Sequence, residues 1–191
     1  MKDQLEHFIR LNVKNPNDKE IKAILEIFHL KHFQKAEYFK QSNKVSTEIG
    51  FIVEGSVRHY MVKNNGNEVT GRIYQKNNFI LDLISVRTKE KTPISIITIE
   101  PTILLVASIE DLNGLFEVNL TLNRLIREYM GEKVVELGRL HLLFLAGTAT
   151  ERYNFILENN PGLLKNVPLR FIASMIGITA TQLSRIRKKR N

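Results

Sequence analysis

The residues best equipped for chemistry lie close together near the C-terminal end: Thr179, Ala180, Thr181, Ser184, Arg185 and Lys188. On a helix, positions 180, 181, 184, 185 and 188 share one face, because residues three and four apart are neighbours. That face would be small, hydroxylic and cationic at once. Small side chains let a helix approach a flat target closely. Hydroxyls both donate and accept, and arginine offers a rigid planar fork of donors. These are the properties needed in a DNA major groove, where arginine bonds a guanine edge bidentately and flanking cations neutralise phosphates. Arg170, Arg187 and Lys189 add charge beside the same face. A helical hairpin with a merely solvated basic face would use the same residue types.

The sequence around this face specifies two short helices. Pro168 suits a first helical turn, where its missing N–H costs nothing, and Gly177 can take the left-handed conformation that ends a helix. Thr179 and Gln182 form a T-x-x-Q capping box, with Ile178 and Leu183 as the hydrophobic staple around it. Leu183 and Ile186 would face Leu169, Ile172 and Ile176, and Ala173 is small enough for the helices to cross closely.

Charge is distributed to match. The 191 residues carry 28 Lys and Arg against 20 Asp and Glu, a formal net charge of +8. Residues 148–191 hold eight of the bases and only two of the acids, so a nearly neutral body carries a basic end. That asymmetry implies a polyanion partner at this end, unless the tail only confers solubility. With 43% hydrophobic and 25% charged residues, the composition is that of an ordinary globular protein. The length allows one domain, or a medium one with a small appendage. No cysteine is present, which excludes disulfides, thiolate metal sites and thiol nucleophiles. The acidic N-terminus lacks the apolar run of a signal peptide, and Leu142–Ala146 is far too short to span a membrane, so a cytoplasmic protein is expected.

The remaining periodicity divides the chain. Residues 1–38 read as helical, broken at Asn15-Pro16-Asn17-Asp18. Between Phe39 and Leu112 the period changes to two. Val57–Lys63 and Glu68–Tyr74 are expected to form a hairpin around Asn64-Asn65-Gly66-Asn67, and further strands fall at Ile94–Ile99 and Ile103–Ala107. From Ile109 the helical period returns, with one long helix from Asn119 to about Phe144. Ile126, Met130, Val134, Leu137, His141 and Phe144 form a seam on it whose spacing suits pairing with a second helix, beside Gly131 and Gly138. A buried core helix would explain the same apolar residues.

Counted from Leu169, an alanine falls at the fifth place, a glycine at the ninth and aliphatic residues at the fifteenth and eighteenth. In this the C-terminal segment resembles a bacterial helix-turn-helix. Phe51-Ile52-Val53-Glu54-Gly55-Ser56-Val57-Arg58 is similar to the strand–glycine–strand segment of a cyclic-nucleotide-binding domain, and Asn65-Gly66-Asn67-Glu68 to its next hairpin. The order of parts over nearly the whole chain resembles the Crp/Fnr family of transcription regulators. The resemblance implies an α+β fold: a cyclic-nucleotide-binding-like β-roll (double-stranded β-helix) sensor domain over 1–117, a dimerisation helix over 118–147, and a helix-turn-helix DNA-binding domain lacking a wing over 148–191. It implies a homodimer on a palindromic operator, with RNA polymerase as a further partner. In the absence of a wing, Arg187-Lys188-Lys189-Arg190 would supply its phosphate contacts.

Nucleotide-binding relatives carry a phosphate cassette containing a glycine and an arginine. Here Asp82 matches its acid, but Leu81 stands at the glycine and Thr92 or Pro93 at the arginine, so cyclic AMP is not expected and no cofactor is assigned. Asp82, Arg72 and Lys91 remain as candidates for holding another effector, with Arg58 and Arg87 as scattered cations nearby. His29 and His32, His59 and His141 make no metal-ligand set. No catalytic triad, Walker loop or dinucleotide fingerprint appears, so no enzyme is expected. The competing readings are a ligand sensor acting through protein partners and a cupin-like metal enzyme, the latter having only His59 among scattered Glu48, Glu54 and Glu68 to offer.

Overall fold

The structure is a computed structural model that describes residues 1–160 and 162–190, the side chains of Lys189 and Arg190 excepted. Two helices lead in, α1 (Lys2–Asn12) and α2 (Asp18–Ile27). The Asn17 side chain starts the second by accepting from the backbone of Lys19 and Glu20.

A roll of two four-stranded antiparallel sheets follows. The first has the order β1 (His29–Phe33), β8 (Thr102–Ser108), β3 (Glu48–Glu54), β6 (Phe79–Ile80). The second has β2 (Tyr38–Lys40), β7 (Ile94–Thr98), β4 (Ser56–Val62), β5 (Glu68–Gln75). The β4–β5 hairpin runs where the Asn-Gly cluster predicts it, with Val62 opposite Glu68. Two expectations fail. His29–Phe33 is not helical but pairs along its length with β8, from His29 opposite Val106 to Phe33 opposite Thr102. A short helix, α3 (Leu83–Thr88), interrupts the strands, started by the Asp82 carboxylate on the Ser85 N–H.

Strand β3 is buried on both sides. Ile52 meets Val57, Ile80, Ile96 and Leu104 between the sheets, whereas Phe51 and Val53 pack outward against Leu5, Ile9, Leu122 and Leu125 of the helices. Phe8, Phe79 and Tyr129 stack around that outer face, and the Tyr129 hydroxyl accepts from the Phe79 N–H at 3.0 Å.

Helix α4 (Ile109–Phe116) leads to α5 (Leu120–Ala146), whose 27 residues reach about 40 Å at about 1.5 Å per residue. Its start is doubly fixed. Asn119 accepts from the Leu122 N–H, and Glu20 of α2 accepts from the Leu120 and Thr121 N–H groups and the Thr121 hydroxyl. Hydrogen bonding to Thr121, outweighing burial, holds the Glu20 carboxyl below its ordinary value. Buried residues of α5 are confined to Thr121, Leu122, Leu125 and Tyr129 in its first part. Four shorter helices complete the described chain: α6 (Ala149–Asn159), α7 (Leu163–Asn166), α8 (Leu169–Met175) and α9 (Ala180–Arg190).

Gly55, between β3 and β4, has φ +92°, and a Cβ there would lie 2.5 Å from Thr102 Oγ1 and 2.8 Å from the Pro101 carbonyl. Gly66 in the hairpin turn has φ +81° with nothing within 4 Å. Strain alone costs about 1–3 kcal/mol. Urea titration should therefore show Gly66→Ala losing about 1 kcal/mol and Gly55→Ala losing distinctly more, because backbone at Pro101 and Thr102 cannot yield; equal losses would contradict the steric assignment.

Candidate nucleic-acid interface

Helices α8 and α9 meet at Gly177, whose φ of +74° lets the chain reverse while the Ile178 N–H bonds the Ala173 carbonyl at 3.0 Å. The capping box forms in both directions. Thr179 Oγ1 accepts from the Gln182 N–H at 3.1 Å, and the Thr179 N–H donates to Gln182 Oε1 at 2.9 Å. Leu183 is fully buried against Ile172, Ala173 and Ile176, and Leu169, Ile178 and Ile186 close the edge of that core. With the inner face so fixed, Thr179, Ala180, Thr181, Ser184, Arg185 and Lys188 all stand exposed. Arg170 on α8 is exposed too, Arg187 is half-buried, and the side chain of Lys189 lies outside the described residues. Of the groups singled out from the sequence, the hydroxyls of Thr179, Thr181 and Ser184 and the cations of Arg185 and Lys188 are thus left exposed along α9 and its cap.

How this pair sits on the roll is set by Arg58. Its side chain is only 6% exposed, with the guanidinium stacked between the rings of Tyr60, at 4.1 Å, and Phe171 of α8, at 4.0 Å. Nη2 donates to Glu68 Oε2 at 2.5 Å. Beside it the Thr70 N–H of β5 donates to Ser174 Oγ of α8 at 3.0 Å, and Ile73 and Ile99 of the roll join the core of the C-terminal helices. A second arginine ties α8 to the end of α5. Arg152 Nε donates to the Ile176 carbonyl at 2.9 Å, Nη1 to the Gly147 carbonyl at 3.0 Å, and the guanidinium lies 5.0 Å from the centre of the Phe144 ring. Sequence reasoning gives neither arginine this joining role.

The seam on α5 divides in three. Ile126 and Met130 are partly buried against the helical side of the roll core, so they serve this chain's own packing. Phe144, 43% exposed, lies on one side against Arg152 and close to Gly177. Between them Val134 and Leu137 stand 63% and 58% exposed, His141 is exposed, and Leu142 and Leu145, which the sequence pattern does not single out, extend the stripe. A Cβ on Gly131 or Gly138 would meet nothing within 4 Å.

The three effector candidates do not converge. Asp82 is 1% exposed and internally engaged: it accepts from Lys40 Nζ at 2.6 Å, from the Ser85 N–H and from the Thr92 hydroxyl. Lys40 also reaches Thr92 Oγ1 and the Ile94 carbonyl, leaving the network complete. Lys91 is exposed. Arg72 pairs with Glu136 of α5, to which Lys133 also donates, in the wall of a cavity of about 450 Å³ between β5, α5 and α6. Tyr74, Arg139 and Asn159 complete much of its lining. His59 sits behind Arg72, and burial keeps its imidazole below the ordinary value. Among the described residues no three His, Asp or Glu side chains gather as a metal site, and no helix is long and apolar enough to cross a membrane.

Sequence comparison locates the roll. Residues 30–119 match the cyclic nucleotide-binding domain. Structural comparison extends the likeness over both parts of the chain. FixK2 from Bradyrhizobium japonicum superposes with a TM-score of 0.71 at 16% identity, over 85% of this chain and 84% of its own. CLP from Xanthomonas campestris, a c-di-GMP-responsive global regulator, does so with 0.66 at 14% identity and 91% of each chain. A structure from Eubacterium rectale assigned to the Crp/Fnr family gives 0.65 at 16% identity, over 91% of this chain and 82% of its own. No curated protein matches the chain by sequence. The chain therefore has a cyclic nucleotide-binding-type roll within the fold of Crp/Fnr-type regulators.

Burial raises the Asp82 pKa, but the hydrogen bonds from Lys40, Thr92 and the Ser85 N–H outweigh it, and the carboxyl lies below its ordinary value. A depressed carboxyl contributes stability that is present above its unfolded value of about 3.9 and lost as pH falls through the folded one. Lys40→Met, which strands the carboxylate, should cost about 3–5 kcal/mol at neutral pH and flatten the loss of stability below about pH 4. Denaturant titrations from pH 7 to pH 3 decide this; an unchanged pH profile in the variant would reject the assignment.

Proposed function

We propose that this protein is a homodimeric, sequence-specific DNA-binding transcription regulator of the Crp/Fnr type. The observation that carries the reading is the exposed face of α9. Thr181, Ser184, Arg185 and Lys188 project from a helix whose start is locked by Thr179 and Gln182 and whose far side is filled by Leu183. In this reading α9 lies in the major groove, with Arg185 at a guanine edge and Thr181 and Ser184 tuning the neighbouring contacts. Thr179, Ala180, Lys188, Arg170, Arg187 and Lys189 lie against the backbone or permit the approach.

A second copy of the chain covers the apolar stripe of α5. Val134, Leu137, His141 and Leu145 follow three- and four-residue steps with Leu142 beside them, and the bare Gly131 and Gly138 allow close approach. Twofold pairing there gives two copies of α9 about 34 Å apart, which corresponds to a palindromic operator. RNA polymerase is the further partner such a regulator would address.

No cofactor is assigned. Cyclic AMP is not proposed as effector, because Leu81 and Thr92 or Pro93 stand where the cassette's glycine and arginine would be, and Asp82 is held by Lys40. An effector of other chemistry would use the crevice around Arg72 and Glu136.

Selection of bound duplexes from a random pool, at two salt concentrations, tests the reading: a palindromic consensus with salt-dependent affinity is expected, and no enrichment would refute it. With the selected duplex, Arg185→Ala should lose about 1–3 kcal/mol of discrimination at one or two base pairs of each half-site, and an unaltered preference would remove Arg185 from the reading role. Leu137→Glu places a charge in the stripe. Sedimentation should then show monomer where the parent shows dimer, and a dimer of parental strength would place the interface elsewhere.

A further inference from the structure

Asparagine followed by glycine occurs twice in the chain, at Asn65-Gly66 and Asn113-Gly114. Such a pair has one reaction open to it. The backbone nitrogen of the glycine can attack the carboxamide carbon of the asparagine before it, because no side chain on the glycine shields that nitrogen or restricts the turn the backbone must make. The two pairs differ in their freedom to make that turn. Asn113 and Gly114 lie inside α4, whose hydrogen-bonded turns fix the backbone. Asn65 and Gly66 form the tip of the β4–β5 hairpin, where every residue from Met61 to Glu68 is exposed.

Contacts at the tip favour the encounter. Gly66 stands at φ +81°, and among the described residues nothing would lie within 4 Å of a Cβ placed on it. The Asn67 N–H donates to Asn65 Oδ1 at 3.1 Å, which folds the carboxamide back along the Gly66 peptide and draws electron density from the carbon to be attacked. Against the reaction stand two backbone hydrogen bonds of 2.9 Å, from the Gly66 N–H to the Lys63 carbonyl and from the Lys63 N–H to the Asn67 carbonyl. Both lie at an exposed loop tip, where local opening costs far less than global unfolding.

We propose that Asn65 is a site of spontaneous covalent modification, and that its isoaspartyl product weakens the docking of α8 on the roll. The Gly66 nitrogen bonds to Asn65 Cγ and gives its proton to solvent, the Cγ–Nδ2 bond breaks, and the side-chain nitrogen takes a proton from solvent and leaves as ammonia. Water then opens the resulting cyclic imide. Breaking the bond from the Gly66 nitrogen to Cγ leaves aspartate. Breaking its bond to the main-chain carbonyl carbon leaves isoaspartate, with one extra methylene in the backbone. Aspartate adds only an exposed charge, whereas the lengthened backbone enters the hairpin just above the pair formed by Val62 and Glu68. Glu68 is the partner of Arg58, whose guanidinium carries Phe171 of α8, and further along β5 the Thr70 N–H donates to Ser174 of α8. A disturbance at the tip thus reaches both contacts that seat α8. Its effect on DNA affinity rests on the proposed DNA-binding function; the chemistry and the loosened seat do not.

The full chain is incubated at mildly alkaline pH and physiological temperature, digested with trypsin, and followed by mass spectrometry of the Asn64–Arg72 peptide. Isoaspartate is detected by transfer of a labelled methyl group by isoaspartyl methyltransferase. Asn65 should convert progressively, with isoaspartate in excess over aspartate, while Asn113 stays an amide; Asn65→Ser should remove the signal. In the isoaspartyl form of the intact chain, isolated by ion-exchange chromatography, hydrogen exchange at the Thr70 N–H should be several-fold faster than in fresh protein. Fresh Asn65→Asp should exchange like the parent. Affinity for the selected duplex should fall several-fold in the isoaspartyl form alone. Asn65 surviving as long as Asn113 overturns the site, and unchanged Thr70 exchange after conversion overturns its effect on docking. Faster exchange beside unchanged affinity removes the consequence for DNA. Faster exchange in a protein that binds no duplex even when fresh leaves the modification standing and overturns the regulator reading.

Discussion

The arrangement of this molecule depends on one guanidinium. Arg58 rises from β4, is covered on its two faces by Tyr60 and Phe171, and has its charge met by Glu68. An arginine this deeply buried is tolerated only when paired, and here the covering ring belongs to the C-terminal helices. Removing α8 would therefore return a half-dressed cation to water and expose Ile73 and Ile99. The Thr70–Ser174 hydrogen bond fixes the rotation that stacking alone would leave free. The placement of α9 against the roll rests on this seat.

The long helix plays the complementary part. Its first turns are absorbed by the roll, through Glu20 at its start and Leu122, Leu125 and Tyr129 along its inner side. Beyond Gly131 it leaves the roll core and shows Val134, Leu137, Leu142 and Leu145 to solvent as a row of exposed apolar groups. At its far end Arg152 and Phe144 join it to α8. Roll, α5 and the C-terminal helices are thus connected through two arginines, Arg58 and Arg152, so that a shift of α5 against the roll would be felt at α9.

Local signals are legible in the sequence and long-range ones are not. The Thr179–Gln182 box, Gly177 and the hairpin at Gly66 each depend on neighbours within a few residues, and each forms where the spacing predicts it. His29–Phe33 reads as helical because its strand character comes entirely from β8, far along the chain. Asp82 reads as a candidate effector ligand, and only the fold reveals Lys40 beside it. Arg58 is indistinguishable in the sequence from scattered surface cations, since Phe171, which buries it, lies in another structural unit. The seam on α5 is half legible: period identifies an apolar face, but which part of that face the roll uses depends on where the helix departs from it.

The absence of cysteine allows a direct test of the whole arrangement. A nitroxide attached at Ser184→Cys, which is exposed on α9, reports the separation of the two reading helices by electron double resonance in the complex with the selected duplex. Twofold pairing through α5 predicts one narrow distance distribution centred near about 34 Å, the spacing of successive major grooves on one face of the duplex. The absence of dipolar coupling, or a distribution spread over several tens of ångströms, would contradict it.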